Sequence, residues 1–175
     1  MRAEFRVDGA EFEVSHAPDS RLSDVLRDEL GMHHVRVSCA EGECGACTVL
    51  VDRNPVTSCL MLAAQAGGRD ITTVAGLPAG DRLHAVQEAF IEEQGFQCGF
   101  CTPGFIMTTV AFLAEDPDPT PEEAAAGVSG HICRCGAYPY IVQAVLTAAA
   151  KLRGIDTTGW PPHGVLGDDP EVEVP

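Results

Sequence analysis

The sequence predicts an α+β protein in two parts, a β-grasp-like unit over residues 1–76 and a four-helix bundle over 77–153. Three observations predict this division. Short strand-like runs surround one amphipathic helical segment. The residue pattern changes at the linker-like AGLPAGDR near residue 76, and four helical stretches follow. The acidic, proline-rich segment 154–175 is expected to be either a disordered tail or an extended arm that docks Trp160.

The first part is predicted to be mostly β-structure. AEFRV and EFEVS flank Asp8-Gly9, and this pair between two alternating runs is a hairpin signal. CTVLVD, which ends in a turn at Arg53-Asn54, and DITTV over 70–74 are the remaining predicted strands. Strands of this length around one helix favour a β-grasp arrangement.

One helix is predicted in the first part and four in the second. The first has Asp19 or Ser20 as its N-cap and Gly31 at its end. Its apolar face consists of Leu22, Val25, Leu26 and Leu30. The other four are predicted over 84–94, 103–114, 121–129 and 139–152, and Thr120 with Glu123 forms a capping box. Three of them are predicted to begin at a proline, which needs no hydrogen-bond partner there: Pro103, Pro121 and Pro139.

Composition and charge exclude several classes of protein. Hydrophobic residues make up 45% of the 175 residues, which is enough for a packed core. A formal charge of −15 argues against nucleic acid as a partner, because phosphates would be repelled. We expect no membrane span and, since the N-terminal residues show no export signal, a cytoplasmic protein. In a reducing compartment clustered thiols hold metal more often than they form disulfides.

The first cysteine set is Cys39-x4-Cys44-x2-Cys47-x11-Cys59. This is the spacing of a plant-type [2Fe–2S] site, in which four thiolates surround two bridged irons. We expect Gly42 and Gly45 to adopt positive φ and let the backbone approach the cluster closely. Zinc is the alternative metal, but structural zinc sites favour paired short spacings rather than this triplet.

The second set is Cys98-x2-Cys101-x31-Cys133-x1-Cys135, and its spacing alone leaves iron–sulfur and zinc open. Cys101 and Cys135 each lie shortly before a predicted helix, whose free N–H groups and partial positive charge stabilise thiolates. Arg134 either adds a cation here or forms an ordinary surface salt bridge. Two [2Fe–2S] clusters in one small chain would relay single electrons, and such a relay needs partners at both ends.

Three segments resemble a known family: CAEGECGACTVLVD, GFQCGFCTPGFIM and GHICRCGAYPYIVQAV. They are similar to the small iron–sulfur subunit of the molybdenum hydroxylases, the xanthine dehydrogenase and aldehyde oxidoreductase family, over residues 3 to 152. The resemblance implies a plant-ferredoxin-like domain followed by a helical [2Fe–2S] domain. It implies an oxidoreductase complex with a large subunit that binds molybdopterin cytosine dinucleotide and often a medium FAD-binding subunit. Electrons would pass from the pterin through both clusters to FAD or another acceptor.

The resemblance also implies roles for particular residues. Gln97 matches a glutamine that hydrogen-bonds the pterin, and Cys135 matches a ligand near the pterin amino group; the alternative is a Gln97 that bonds a cluster sulfur or the backbone. His131 replaces an asparagine and is expected to be a loop-bonding residue. The remaining histidines are expected at the surface: His16, His33, His34, His84 and His163. The CRCGAYP form favours an aldehyde substrate, with N-heterocycles, purines and carbon monoxide as alternatives.

Overall fold

Five strands form one mixed sheet in the computed structural model, which describes residues 2–78 and 80–158. They are β1 (Arg2–Val7), β2 (Ala10–Ser15), β3 (Thr48–Val51), β4 (Asn54–Thr57) and β5 (Asp70–Thr72). Their order is β2-β1-β5-β3-β4, with β1 parallel to β5 and every other neighbouring pair antiparallel. Pro55 lies in β4, which is an edge strand, where a missing backbone donor is tolerated. The predicted β-grasp unit is confirmed.

The predicted first helix exists, but its predicted cap is wrong. The α-helical turn α1 (Leu22–Asp24) continues as a wider π-type segment, Val25–Glu29. Arg21 is the N-cap and makes no side-chain cap hydrogen bond. The N–H groups of Leu22 and Ser23 instead donate to the carbonyls of Met61 and Ser58. Backbone from a later segment therefore replaces the capping side chain expected from Asp19 or Ser20.

Two short features connect the strands. A helical turn, α2 (Ala63–Ala66), precedes β5. The strand predicted over 70–74 ends at Thr72, because the N–H and hydroxyl of Thr73 both donate to the Asp8 carboxylate, at 2.7 Å each. A single 3-10 turn, Val74–Gly76, follows and leads the chain out of the sheet.

The second part contains the four predicted helices. They are α3 (Ala85–Glu92), α4 (Thr102–Glu115), α5 (Pro121–Gly127) and α6 (Tyr138–Leu152). Of the three prolines predicted to begin a helix, Pro121 is the first residue of α5. Helix α4 begins at Thr102 and α6 at Tyr138, so Pro103 and Pro139 are the second residues of their helices rather than the first. The capping box is confirmed, since Thr120 Oγ1 accepts from Glu123 N at 3.2 Å and Glu123 Oε2 accepts from Thr120 N at 2.8 Å.

The two parts pack directly against each other along β3. Val49 and Val51 face the core under α1, whereas Leu50 packs on Met107 and Ala111 of α4. All four residues of β3 are buried as a result. Cys47, immediately before β3, is thereby held close to the helical part. No helix within 2–78 and 80–158 is long and apolar enough to cross a membrane.

Candidate metal centres

The first cysteine loop wraps tightly between α1 and β3. Gly42 and Gly45 have φ of +86° and +68°, which confirms the predicted left-handed positions. A Cβ on Gly42 would lie 2.4 Å from Leu60 Cδ1, so this loop closes against the segment that carries Cys59. The Cys47 carbonyl accepts a 2.7 Å hydrogen bond from Ser58 Oγ, which ties the loop to the same segment.

The four thiols of this set lie in two pairs. The Glu41 N–H, 3.4 Å from Cys39 Sγ, and further hydrogen bonds from Cys44 lower the pKa of Cys39 to about 7. Burial, together with a hydrogen bond to Cys47, raises the pKa of Cys59 to about 11. Cys39 therefore lies beside Cys44, and Cys47 lies beside Cys59.

The second set is paired in the same way. The Phe100 N–H and then the Cys135 side chain lower the pKa of Cys98. Burial, followed by contact with Cys133, raises the pKa of Cys101 to about 12. Cys101 is the N-cap of α4, and Cys135 lies two residues before Ala137, the N-cap of α6, so both cysteines lie shortly before a helix as expected. Two helix N-termini thus meet at this set.

The donor set fits two-iron clusters. Each of the eight cysteines is a free thiol. Within the described ranges no three Cys, His, Asp or Glu side chains are grouped closely enough to hold one ion. Each set supplies four thiols, which is the number that a [2Fe–2S] cluster held by cysteines alone requires.

The structure brings the two predicted pterin residues together. Gln97 is exposed, and its Nε2 donates to the Cys135 carbonyl at 3.4 Å. Cys135 is half-buried, whereas Cys101 and Cys133 are buried. The accessible side of the second set therefore consists of Cys98, Gln97 and Cys135.

His131 is buried between the two sets. Its Nε2 lies 2.6 Å from Thr108 Oγ1 of α4, and its ring lies 4.6 Å from the Phe105 ring, centroid to centroid. Burial lowers its pKa to about 4. A Cβ on Gly45 would lie 2.2 Å from His131 Nδ1, so the first loop packs against this ring. His131 bonds the helix rather than its own loop.

Other predicted surface positions have different outcomes. The surface prediction is wrong for His16, which is buried with 7% of its surface exposed. Its Nδ1 forms a 2.8 Å hydrogen bond with the Ala17 carbonyl, and its ring packs near Phe5. His34 and His84 are half-buried. Arg134 is exposed and forms no ion pair with any residue in 2–78 or 80–158. The predictions for Trp160 and His163 lie outside the described residues.

Sequence reasoning overlooked Arg36 and Thr108. Arg36 lies over the Phe100 ring, with its Cζ 6.0 Å from the ring centroid. Thr108 is the partner of His131. The sequence shows a basic residue three positions before Cys39. It does not show that this residue contacts the Phe100 ring, because the contact forms only when the two parts of the chain pack together.

Two family models together match most of the chain. Residues 5–72 match the 2Fe-2S iron-sulfur cluster binding domain, and residues 73–146 match the [2Fe-2S] binding domain. Each match contains one of the two cysteine sets. The presence of two [2Fe–2S]-binding domains is therefore confirmed.

Curated and solved relatives agree with these matches. The chain is 45% identical over 134 residues to the nicotinate dehydrogenase small FeS subunit of Eubacterium barkeri, covering 77% of this chain and 85% of that one. It is 44% identical over 145 residues to the xanthine dehydrogenase iron-sulfur-binding subunit of Escherichia coli O157:H7, covering 82% and 91%. The aldehyde oxidoreductase structure from Desulfovibrio desulfuricans superimposes with a TM-score of 0.83 at 40% identity, over 89% of this chain and 18% of that longer one. Sequence, fold and thiol arrangement together place this chain in the family of small iron–sulfur subunits of the molybdenum hydroxylases.

Proposed function

We propose that this chain is the electron-transfer subunit of a molybdenum hydroxylase, relaying single electrons from a molybdopterin site on a large subunit to FAD or another acceptor. The observation that carries the proposal is that each of the two matched [2Fe–2S]-binding domains contains one set of four free cysteines. The ligands of the first cluster are Cys39, Cys44, Cys47 and Cys59. The ligands of the second are Cys98, Cys101, Cys133 and Cys135. When bound, each cluster takes up and releases one electron at a time.

The chain's own residues prepare both sites for anionic clusters. The N–H of Glu41 is directed at the Cys39 sulfur and that of Phe100 at the Cys98 sulfur. Such donors stabilise thiolate over thiol and later stabilise the added electron. Burial of Cys47 and Cys59 keeps water from the inner side of the first site.

The zinc alternative makes opposite predictions. A zinc-binding structural module would be colourless, would contain no inorganic sulfide and would show no redox signal. Both matched family models are [2Fe–2S]-binding domains, and each match contains one set of four cysteines. These matches favour iron–sulfur over zinc at both sites.

Partners are proposed from the relatives' names and from the exposed side of the second set. Both named subunits belong to larger dehydrogenases, so we infer a large subunit carrying molybdopterin cytosine dinucleotide and a medium FAD-binding subunit. The complex would work in the cytoplasm, where the eight thiols stay reduced. An aldehyde is the substrate that the CRCGAYP form predicts, and the nicotinate and xanthine enzymes support an N-heterocycle as the alternative.

Gln97 and Cys135 are proposed to contact the pterin. Both lie on the accessible side of the second set, and the Gln97 amide donates to the Cys135 backbone while its oxygen is free to accept a hydrogen bond from a ligand amino group. Replacing Gln97 by Ala in the complex should slow electron exit from the pterin site and leave both cluster signals intact. Unchanged turnover would contradict this role.

Metal, sulfide and EPR analysis of the purified complex tests the main proposal. We expect about two irons and two acid-labile sulfides per cluster, a brown colour and two distinct EPR signals after reduction. Zinc without sulfide would overturn the electron-transfer function. Clusters in a chain that co-purifies with no large subunit would indicate a free-standing ferredoxin instead.

A further inference from the structure

Arg36 lies where the two cysteine loops meet. It precedes Cys39 by three residues in the first loop. Its guanidinium lies over the ring of Phe100, with Cζ 6.0 Å from the centroid, which is within cation–π range. Phe100 stands between Cys98 and Cys101, and its N–H is directed at the Cys98 sulfur. One side chain thus connects the first loop with the second.

No carboxylate in the described part of the chain forms an ion pair with Arg36. The ion pairs in the described ranges use other cations, namely Arg2, Arg6, Arg69, Lys151 and Arg153. Arg36 is half-buried, and its Nε is buried with no hydrogen-bond partner. A partly buried guanidinium is costly unless negative charge lies near it. The thiolates supply such charge next to both residues, because Cys39 lies three positions after Arg36, and Cys98 and Cys101 stand before and after Phe100, the ring that Arg36 overlies.

We propose that Arg36 is the cation that raises the reduction potentials of both clusters. This inference rests on the proposed function. A cluster becomes more negative when it takes up an electron, and a fixed positive charge in a partly dry site favours that reduced form. Arg36 itself takes up no electron. It acts as a tuning residue between the sites, whereas Arg134 is exposed and screened by solvent.

The test compares two substitutions at Arg36 in the full chain, purified with its co-eluting subunits. Arg36→Gln removes the charge, and Arg36→Lys keeps it. An EPR-monitored redox titration should show both midpoint potentials shifted to lower values in Arg36→Gln and unchanged in Arg36→Lys. Arg2→Gln is the matched control, because Arg2 is 77% exposed and pairs with Glu13 on the β1–β2 hairpin, so its loss should move neither potential.

The outcomes separate this inference from the proposed function. Two intact EPR signals with unchanged potentials in Arg36→Gln would overturn the role of Arg36 alone, as expected if it only packs on Phe100. A wild-type protein without iron and sulfide would overturn both proposals. If Arg36→Gln fails to hold both clusters, Arg36→Lys decides: unchanged potentials support the charge role, and a drop overturns it.

Discussion

At the scale of single residues, Gly45 and Gly104 let the first cysteine loop touch the helical part without a side chain between them. A Cβ on Gly104 would lie 2.3 Å from the Gly45 carbonyl oxygen and 3.1 Å from Ala46 Cα. The neighbouring Ile132 N–H donates to the Cys44 carbonyl at 3.1 Å. Backbone therefore contacts backbone at this junction, and neither segment can relieve a clash there by rotating a flexible side chain.

Gly104→Ala should lower the free energy of unfolding. The added methyl group overpacks the junction, which costs about 1–3 kcal/mol, against a gain of about 1 kcal/mol in helix propensity. Gly130→Ala is the control, because a Cβ there would meet no atom within 4 Å and its backbone is not left-handed. Thermal unfolding of both variants provides the measurement. Equal midpoints for Gly104→Ala and wild type would contradict the close contact.

At the scale of elements, α3 begins with a histidine cap that the sequence pattern did not identify. His84 was predicted as the first helical residue but is the N-cap. Its Nδ1 accepts from Val86 N at 3.2 Å, and Gln87 Oε1 accepts from the His84 N–H at 3.0 Å. Burial lowers the pKa of His84, with a smaller opposing effect from Glu88. The neutral ring is the form that can cap.

The burial of His84 makes stability depend on pH. Because the pKa of His84 is lower in the folded chain than its ordinary 6.5, the unfolded chain binds the proton first as pH falls. The His84 contribution to stability is therefore present above about pH 6.5 and decreases below it. His84→Asn should keep the cap and reduce this slope, whereas His84→Ala should cost about 1 kcal/mol at neutral pH.

Chemical denaturation between about pH 8 and pH 5 measures the slope. The comparison between wild type and His84→Asn isolates this residue from the other titrating groups. The Thr120–Glu123 box of α5 contains no histidine and offers a helix cap of the same design without this proton. Identical slopes in wild type and His84→Asn would contradict a lowered pKa of His84 in the folded chain.

At the scale of the whole molecule, each proposed cluster belongs to its own core. One core lies between the sheet and α1, and the other among α3 to α6. Within the described residues, a small buried cluster of Leu50, Met107 and Ala111 crosses the boundary. We propose residues 1–76 and 77–153 as the two domains. Cys44→Ser should therefore abolish one EPR signal and retain the other. Cys101→Ser should do the reverse.

Circular dichroism of both variants checks that the helical content is retained. Loss of both signals from a folded Cys44→Ser protein would contradict two independent sites. It would indicate that the Gly45–Gly104 junction transmits local unfolding from one loop to the other.

The sequence by itself determined the two cysteine sets, the left-handed Gly42 and Gly45, the Thr120–Glu123 cap and the order of the predicted strands and helices, but it missed β4 and α2. These features depend on spacing, backbone preference and capping, which act between residues close along the chain. Only the tertiary structure decided how the thiols pair and that Arg36 lies over Phe100. It also decided that His131 fills the space beside Gly45 and that His16 is buried. The replacement of the expected cap of α1 by the carbonyls of Met61 and Ser58 likewise appears only in the folded chain. These depend on packing between distant segments, which no local pattern encodes.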